Sequence, residues 1–455
     1  MKNLLYIFLA GFLVIPASCT KDSLLDANVD QESFTDEQLA LKPGLLLTHA
    51  QIDLAYAQGG DMSRFASIFI QQVTGASRQA ESYNRYSTNT GDFGNLWANL
   101  YAGGLGDLKR LSEITESKGN LGYTAVSDLI LAYGLGLSVD MWGSIPYSEA
   151  FKGIDNLKPK FDEGASVYES INTLINKSIA TLESGNFGIL TPDIDDLIYG
   201  GNLDNWLLFA HALKAKQALH QIKMDPSKAD EVISEAALAF TSSAYDAQIN
   251  FGVSSSSASP WFQFIDQRDD IAYSGALLSS MEAIADPRYP LLIDTTGDGP
   301  FGYLGLGYLN FYYGNTDSPV HLITYAELQF MLAEAHLKNG DQTEAQAALI
   351  EGVTASMAKL GITDETVIGD YISANATLDG TDDLETVMYE KQIAMFLHPE
   401  AFTDYRRTGL PVLSPTNGNA IPSRFMYPES EYSFNGDNVP SSPSLFTPKI
   451  FWDVE

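Results

Sequence analysis

Pairs of helical stripes separated by a short break are the feature that most restricts how this chain folds. Apolar residues recur over 208–222 and again over 232–240, with a break at 224–227 between the two stretches. The same arrangement returns with stripes over 328–335 and 345–353. Steps of three and four residues place these side chains on one face of a helix, and each pair is about as long as a tetratricopeptide unit. The sequence therefore predicts a mostly α fold that contains helix hairpins.

Three long stretches interrupt this helical pattern. Residues 252–264 and 294–317 are rich in Gly, Ser and aromatic residues, and residues 409–448 contain seven Pro. Long loops in compact proteins are usually functional or disordered, and this aromatic content favours order. No clean linker is visible, so we expect one helical body with long aromatic-rich loops.

The charge of the chain excludes several classes of partner. There are 58 Asp and Glu residues against 26 Lys and Arg, which gives a formal net charge of -32 and a pI near 4.3. Such a surface repels nucleic-acid phosphates and anionic lipid head groups. The 45% apolar and 18% charged fractions are typical of a folded core rather than of disorder.

The first residues predict export and a lipid anchor. Residues 1–18 have the pattern of a signal peptide: one Lys, an apolar run and small residues at the end. The sequence Ala17-Ser18-Cys19 resembles a bacterial lipobox, with Pro16 where a Leu-like residue is usual. We therefore expect Cys19 to be acylated, residues 19–37 to form the acylated Cys and tether, and residues 38–455 to form a single domain. Cys19 is the only Cys, so no intramolecular disulfide is possible.

The motifs of common enzyme classes are missing. No HExxH, nucleophile elbow or Walker loop occurs in the sequence. The paired carboxylates Asp195-Asp196, Asp269-Asp270 and Asp382-Asp383 are expected by chance among 58 acidic residues. We therefore predict no catalytic residue and no enzymatic activity. A glycoside hydrolase, which needs two facing carboxylates, stays an alternative.

One segment partly fits a calcium loop. Asp294, Asp298 and Gly299 occupy loop positions 1, 5 and 6, but Thr296 and Gly305 stand at positions 3 and 12, where ligands are needed. No cofactor and no metal are predicted, and a structural Ca²⁺ near Asp294 and Asp298 is the alternative.

The loops carry aromatic side chains next to short polar ones, which suits sugars. The C–H faces of a sugar ring stack on aromatic rings, and its hydroxyls need polar partners. The candidate ligand-binding residues are Tyr83, Tyr86, Trp97, Trp261, Phe262, Tyr303, Tyr308, Tyr312, Tyr313 and Asn315. The alternative is that these rings belong to the core, as the alternation over 309–313 suggests.

Short motifs spread over the chain resemble the SusD/RagB group of outer-membrane nutrient-binding lipoproteins. They are Cys19, the turn 140–151 with its WGSIPY core, 158–162, Asp286-Pro287-Arg288, 324–335, 390–391, 404–411, 421–429 and 451–453. The chain is similar to the compact SusD-like branch of this group.

This resemblance implies a helical body with tetratricopeptide-like hairpins and a ligand site on long loops. It further implies a surface-exposed lipoprotein that forms the lid of a SusC-like TonB-dependent transporter and catalyses no reaction. The ligand contacts vary within the group, so none is transferred by motif. We expect Arg406 and Arg407 to form structural ion pairs with Glu390 and Asp404, and both Trp142 and Trp452 to be core anchors.

Several ligands stay open at this point. The negative charge favours a neutral glycan, such as a β-glucan, over a polyanionic one. A local cationic patch of Arg64, Arg78 and Arg85 is the exception that would reverse this preference. Peptides are the second candidate ligand, and a tetratricopeptide adaptor without a small ligand is a further hypothesis.

Overall fold

The computed structural model describes residues 34–268, 270–294, 308–309, 311–418, 420–441 and 443–454. By its internal contacts, the chain divides after Lys42 into two units. In the first unit, helix α1 (Asp36–Leu41) begins with a capping box. Thr35 Oγ1 accepts the backbone N–H of Gln38, and the Gln38 side chain accepts the backbone N–H of Thr35. This helix begins just before the end of the predicted tether.

The second unit, which starts at Pro43, is mainly helical in its described part. Its α-helices are α2 (Gly44–Ala57), α3 (Ser63–Phe69), α4 (Arg78–Asn84), α5 (Gly94–Trp97), α6 (Gly106–Ser117), α7 (Leu121–Trp142), α8 (Gly164–Ser184), α9 (Leu203–His220), α10 (Lys228–Ala236), α11 (Pro260–Gln267), α12 (Ala276–Ala283), α13 (Tyr289–Leu292), α14 (Phe311–Gly314), α15 (Tyr325–Asn339), α16 (Gln342–Lys359), α17 (Glu365–Asn375), α18 (Asp383–Ala394), α19 (Glu400–Thr408) and α20 (Glu429–Asn435). Segments Gln58–Met62 and Ala98–Leu105 are π-helical, and Thr90–Phe93, Gly153–Asp155 and Ser243–Tyr245 are 3₁₀-helical. The mostly α prediction is confirmed.

The strands of the described residues are short and pair only in twos, all antiparallel. The pairs are β1 (Thr74–Gly75) with β5 (Ile271–Ala272), β2 (Ile145–Pro146) with β3 (Phe161–Asp162), β4 (Ala247–Ile249) with β8 (Val320–Ile323), and β6 (Ile293–Asp294) with β7 (Tyr308–Leu309). The β4–β8 pair has an irregular register between Ala247 and Gln248. These ladders fasten loops to the helical body rather than forming a sheet layer.

Both predicted helix hairpins are present, as α9–α10 and α15–α16. Helix α15 ends at Gly340, whose φ of 83° is the left-handed conformation that caps helices and favours glycine. The next helix packs closely against it, since a Cβ on Gly352 would lie 3.0 Å from the ring of Phe330. Gly352 therefore allows the two helices to approach closely.

Helix α7 is the central core helix. Among the described residues it alone is long and apolar enough to cross a membrane, but its whole apolar window is buried inside the body. Trp142, its last residue, is fully buried, and so is Trp452 from the C-terminal segment. The prediction that both rings are core anchors is confirmed.

Buried ion pairs join α15, α18 and α19. Arg407 contacts Glu334 at 2.8 Å and Asp404 at 2.6 Å, and Lys391 contacts Asp404 at 2.8 Å. The predicted pairing of Arg407 with Asp404 is confirmed. The prediction that Glu390 forms an ion pair with Arg406 or Arg407 is wrong.

Glu390 belongs to a separate buried pair. It contacts Arg288 at 2.7 Å, and Arg288 also contacts Asp286 two residues earlier. Among the described residues Arg406 has no carboxylate ion-pair partner either: its guanidinium donates to the backbone carbonyls of Asp140 and Ser423. The pairing of Arg406 was predicted from nearness in sequence, which does not fix where a long side chain ends.

A second group of buried charges lies between α9, α15 and α19. Lys216 Nζ lies 2.7 Å from Glu327 and 2.8 Å from Glu400, and the three side chains are at most 2% exposed. His220 lies one helical turn further along α9, 2.8 Å from Glu400 and 3.2 Å from Asp140. Buried charges need such partners, since an unpaired one is costly.

All three of the predicted irregular stretches contain a helix, and in 294–317 it is the short helix α14. Residues 260–264, predicted as irregular, belong to α11, because Ser259 caps the helix and Pro260 occupies its first turn. The Pro-rich stretch 409–448 is irregular in its described part, apart from the short helix α20.

Candidate functional site

A cavity of about 440 Å³ opens between the N-terminal helices of the second unit and α11. Its lining residues are Tyr56, Gly60, Asp61, Arg64, Phe65, Ile68, Gln79, Ala80, Tyr83, Asn95, Asn99, Pro260, Gln263, Phe264, Gln267, Arg268, Asp270 and Ile271. Ligand pockets range from about 300 to 1,000 Å³, so this space is large enough for a short stretch of an oligomer.

The walls of this cavity depend on a distorted helix and a capped one. The π-helical segment between α2 and α3 carries Gly59, where a Cβ would lie 2.4 Å from Val320 Cγ2, so only glycine allows this approach. On the opposite wall, Ser259 Oγ accepts the backbone N–H of Phe262 and donates to the carbonyl of Asn315 at 3.0 Å. These contacts fix the first turn of α11 and therefore the rings that follow it.

Three half-buried rings face the cavity: Tyr56, Tyr83 and Phe264. The ring of Tyr83 packs on Phe65 with centroids 4.7 Å apart, and the Arg64 guanidinium lies 4.5 Å from the centroid of Phe264. Aromatic rings at such places supply apolar faces of fixed orientation.

Asp92 holds one side of this ring group in place. Its Oδ1 accepts hydrogen bonds from Gln79 Nε2 at 2.7 Å and from the Tyr83 hydroxyl at 3.2 Å. Burial first, and then the charge of Asp92, raise the pKa of Tyr83 above its usual value. Tyr83 therefore stays neutral and keeps its hydroxyl as a hydrogen-bond donor.

Side-chain amides supply the polar groups of the cavity. Asn95 and Asn99 are exposed, four residues apart, and make no side-chain hydrogen bond within the described part of the chain. Gln263 and Gln267 are four residues apart on α11, and Gln263 donates to the Tyr56 hydroxyl at 2.8 Å. An amide both donates and accepts, so this lining matches the hydrogen-bonding pattern of hydroxyl groups.

The charged groups of the cavity neutralise one another. Arg64 pairs with Asp61, and Arg268 contacts Asp270 at 2.6 Å. Asp270 is 2% exposed and also contacts Arg78 at 2.9 Å. The described lining residues thus include two cations and two anions.

The arginines that sequence analysis considered as a cationic patch are all paired. Arg64 pairs with Asp61, Arg78 with Asp270 and Arg85 with Glu81. Because Arg78 shares Asp270 with Arg268, the three pairs reduce the positive charge of the patch rather than cancel it in full.

Of the predicted ligand residues, the structure places Tyr83 in the cavity and several others in the core. Trp97, Tyr86, Trp261 and Tyr313 are all at most 9% exposed. The Trp97 ring stacks on Tyr101 at 4.6 Å, and Trp261 donates to Ser63 Oγ at 3.0 Å. We leave these four rings out of the candidate site, because their faces are covered by protein.

The remaining predicted residues lie apart from the cavity lining or beyond the described residues. The Tyr312 hydroxyl lies 2.7 Å from His321 Nε2, and Phe262 is half-buried. Asn315 is exposed, and its backbone carbonyl accepts a hydrogen bond from Ser259, the residue that caps α11. The side chain of Tyr308 and all of Tyr303 lie outside the described residues, as do Cys19, Asp298 and the side chain of Asp294. Within the described residues, no group of three His, Cys, Asp or Glu side chains is placed to hold a metal ion.

Sequence analysis missed most of the polar lining. Gln263 and Gln267 follow the Ser259-Pro260 helix start at a spacing of four, and this signal predicts one helix face. Arg64 was considered only as part of a cationic patch, and Asp61 carries no comparable signal because it lies in the distorted segment 58–62.

Comparison with known proteins identifies the family. The family model described as SusD-like, "starch-binding associating with outer membrane", matches residues 35–428. No protein with a curated description matches the chain.

Solved structures share the fold over nearly the whole chain. A SusD/RagB family protein from Bacteroides thetaiotaomicron is 21% identical with a TM-score of 0.79, and the match covers 92% of this chain and 99% of that one. A chitin-binding SusD homologue from Flavobacterium johnsoniae is 20% identical with a TM-score of 0.77, covering 91% and 98%. A SusD homologue from Bacteroides fragilis is 23% identical with a TM-score of 0.74, covering 90% and 99%. The chain belongs to the SusD-like family, whose description associates it with the outer membrane.

Proposed function

We propose that this protein captures a neutral oligosaccharide or polysaccharide, such as a β-glucan, and delivers it as the lid of a SusC-like TonB-dependent transporter. The observation that carries the proposal is the 440 Å³ cavity, which combines aromatic faces with side-chain amides. Tyr83 and Phe264 offer surfaces for sugar rings, and Asn95 and Asn99 offer donors and acceptors for hydroxyls. The starch-binding description of the family supports a glycan.

The preference for a neutral ligand comes from the charge balance. Two arginines and two aspartates line the cavity, and each arginine lies against an aspartate. The whole chain carries a net charge of -32. A polyanionic glycan would meet long-range repulsion, and the described lining residues offer no unpaired cation to offset it.

The family description and the N-terminal sequence both support an outer-membrane place of action. The family is described as associating with the outer membrane, and acylation of Cys19 would anchor the protein there. A binding protein without a reaction of its own needs a partner that moves the ligand, and a TonB-dependent transporter fills this role.

Affinity electrophoresis against a panel of neutral and acidic glycans tests the ligand class. We expect at least one neutral glycan, and no acidic one, to retard the protein expressed from Thr20 onward. The retardation should fall on changing Tyr83→Ala and Phe264→Ala, and it should persist in Phe434→Ala, which removes a 75% exposed ring outside the cavity. Binding of peptides in place of glycans would contradict the proposal, and so would release of shorter sugars from a glycan.

A pull-down tests the partner separately. The tagged lipoprotein, extracted from native outer membranes in mild detergent, should bring a TonB-dependent transporter with it. Recovery of the lipoprotein alone at every detergent strength would contradict the lid role.

A further inference from the structure

A second cavity, of about 300 Å³, lies away from the first one, where α9, α15, α18 and α19 come together. Its apolar walls are Ile222, Leu337 and Leu384. Leu384 is 37% exposed, and the other two lie deeper. The lining residues that the structure describes include no aromatic ring, so the cavity suits an aliphatic chain better than a sugar.

Two lysines belong to the same lining, Lys223 just after α9 and Lys338 in the last turn of α15. Both are exposed, and neither forms an ion pair with any described residue. This arrangement differs from the first cavity, where each cation has an anionic partner.

The buried charges below these lysines are already balanced. Glu334 and Arg407 line the cavity and form an ion pair joined by two hydrogen bonds, at 2.8 and 2.9 Å. Burial opposes ionisation of Glu334, but Arg407 outweighs it and lowers the pKa of that carboxyl. Asp404 and Lys391 complete the group with one charge of each sign. The cavity is therefore left with the two positive charges of its lysines.

Arg407 adds an unused donor to this lining. It is 3% exposed, and its two terminal nitrogens are bonded to Glu334 and Asp404. Its Nε–H has no acceptor among the described residues. This donor is closed off from solvent, so the anion-binding groups of the cavity are its two lysines.

We propose that this cavity binds a small aliphatic carboxylate. The alkyl part would pack on Ile222, Leu337 and Leu384, and the carboxylate would lie between Lys223 and Lys338. The carboxylate could be that of a free short-chain acid or that of the C-terminal residue of a polypeptide, and both have the same chemistry.

Calorimetric titration of the purified protein tests the proposal with three probes. Hexanoate stands for a free acid, N-acetyl-leucine for a polypeptide C-terminus, and hexanamide is the uncharged control. We expect one or both acids to bind with 1:1 stoichiometry, and hexanamide to bind at least about fivefold more weakly. The acid that binds more tightly shows whether the carboxylate belongs to a free short-chain acid or to a polypeptide C-terminus.

Charge-removing variants then locate the site. Each of Lys223→Gln and Lys338→Gln should weaken binding by about fivefold. This factor is the upper end of what one exposed ion pair contributes to an affinity. Lys118→Gln, which removes an exposed lysine outside the cavity, should leave the affinity unchanged. Glycan retardation through the first cavity should be the same in all three variants.

Three results would overturn the proposal. The first is that neither acid binds at ~10-fold excess over a protein concentration of about 1 mM. The second is equal binding of hexanamide. The third is an unchanged affinity in the Lys223→Gln, Lys338→Gln double variant, with its thermal unfolding unaltered.

Discussion

Removal of the buried Lys216 charge should destabilise the protein severely. Lys216 donates to Glu327 at 2.7 Å and lies 2.8 Å from Glu400, and the three side chains are 2%, 0% and 1% exposed. In Lys216→Met a side chain of similar length fills the same space, so the loss of the charge dominates over the loss of packing. Two carboxylates then lack the cation that they share.

The expected cost is about 3–5 kcal/mol, the usual range when one partner of a buried pair is removed. Glu400 keeps one partner, because His220 lies 2.8 Å away. Glu327 loses its only ion-pair partner within the described residues. The double variant Lys216→Met, Glu327→Gln removes that unpaired charge and should recover at least half of the loss.

Guanidinium unfolding followed by tryptophan fluorescence measures both variants. Lys118→Met is the matched control, and it should stay within about 0.5 kcal/mol of the wild type because Lys118 is exposed. A loss below about 1 kcal/mol in Lys216→Met, or no recovery in the double variant, would refute the electrostatic reasoning.

Three further predictions concern pH, packing and charge. Burial alone would lower the pKa of His220, but two neighbouring carboxylates raise it from 6.5 to about 9. The stabilisation from protonated His220 is therefore complete below pH 6.5 and is lost as the pH rises through about 9. Over this window the free energy of unfolding should fall by roughly 3 kcal/mol more in the wild type than in His220→Gln. A parallel fall in both proteins would contradict this. Gly59→Ala places a Cβ 2.4 Å from Val320 Cγ2, so thermal unfolding should show a loss of stability of about 1–3 kcal/mol. A second substitution, Val320→Ala, should restore part of that stability. An unchanged melting temperature in Gly59→Ala would disprove the close approach. Asp61→Asn leaves Arg64 without its anionic partner. Gel retardation by an acidic glycan should therefore increase, while retardation by a neutral glycan should change little. Unchanged retardation by the acidic glycan would contradict the idea that paired charges in the cavity disfavour polyanions.

The helical framework could be predicted from the sequence because its signals are local. The stripes over 208–222 and 345–353 fall within or beside α9 and α16, and Gly340 ends α15 as a left-handed cap. Side-chain periodicity and capping depend on residues a few positions apart. These elements therefore appear with nearly the expected bounds.

The candidate site could be predicted only in part because its residues come from distant segments. Tyr83 stands out as an aromatic beside Asn residues, and it lines the cavity. Trp97 gives the same signal but is 5% exposed and stacked on Tyr101. Composition cannot separate a ring that faces a ligand from one that faces the core. That difference depends on tertiary packing.

The ion pairs show the same limit. Arg407 pairs with Asp404 three residues away, as sequence neighbours on a helix allow. Glu390 instead meets Arg288, which is 102 positions away. No local pattern predicts such a contact.

The most direct test of the central claim is calorimetric titration of the neutral glycan that gives the strongest retardation. The account predicts saturable binding to the wild type and to Phe434→Ala, with at least about tenfold weaker binding, or about 1.4 kcal/mol, in the double variant Tyr83→Ala, Phe264→Ala. Equal affinity in all three folded proteins would contradict the account, because the glycan would then bind outside the cavity that Tyr83 and Phe264 line.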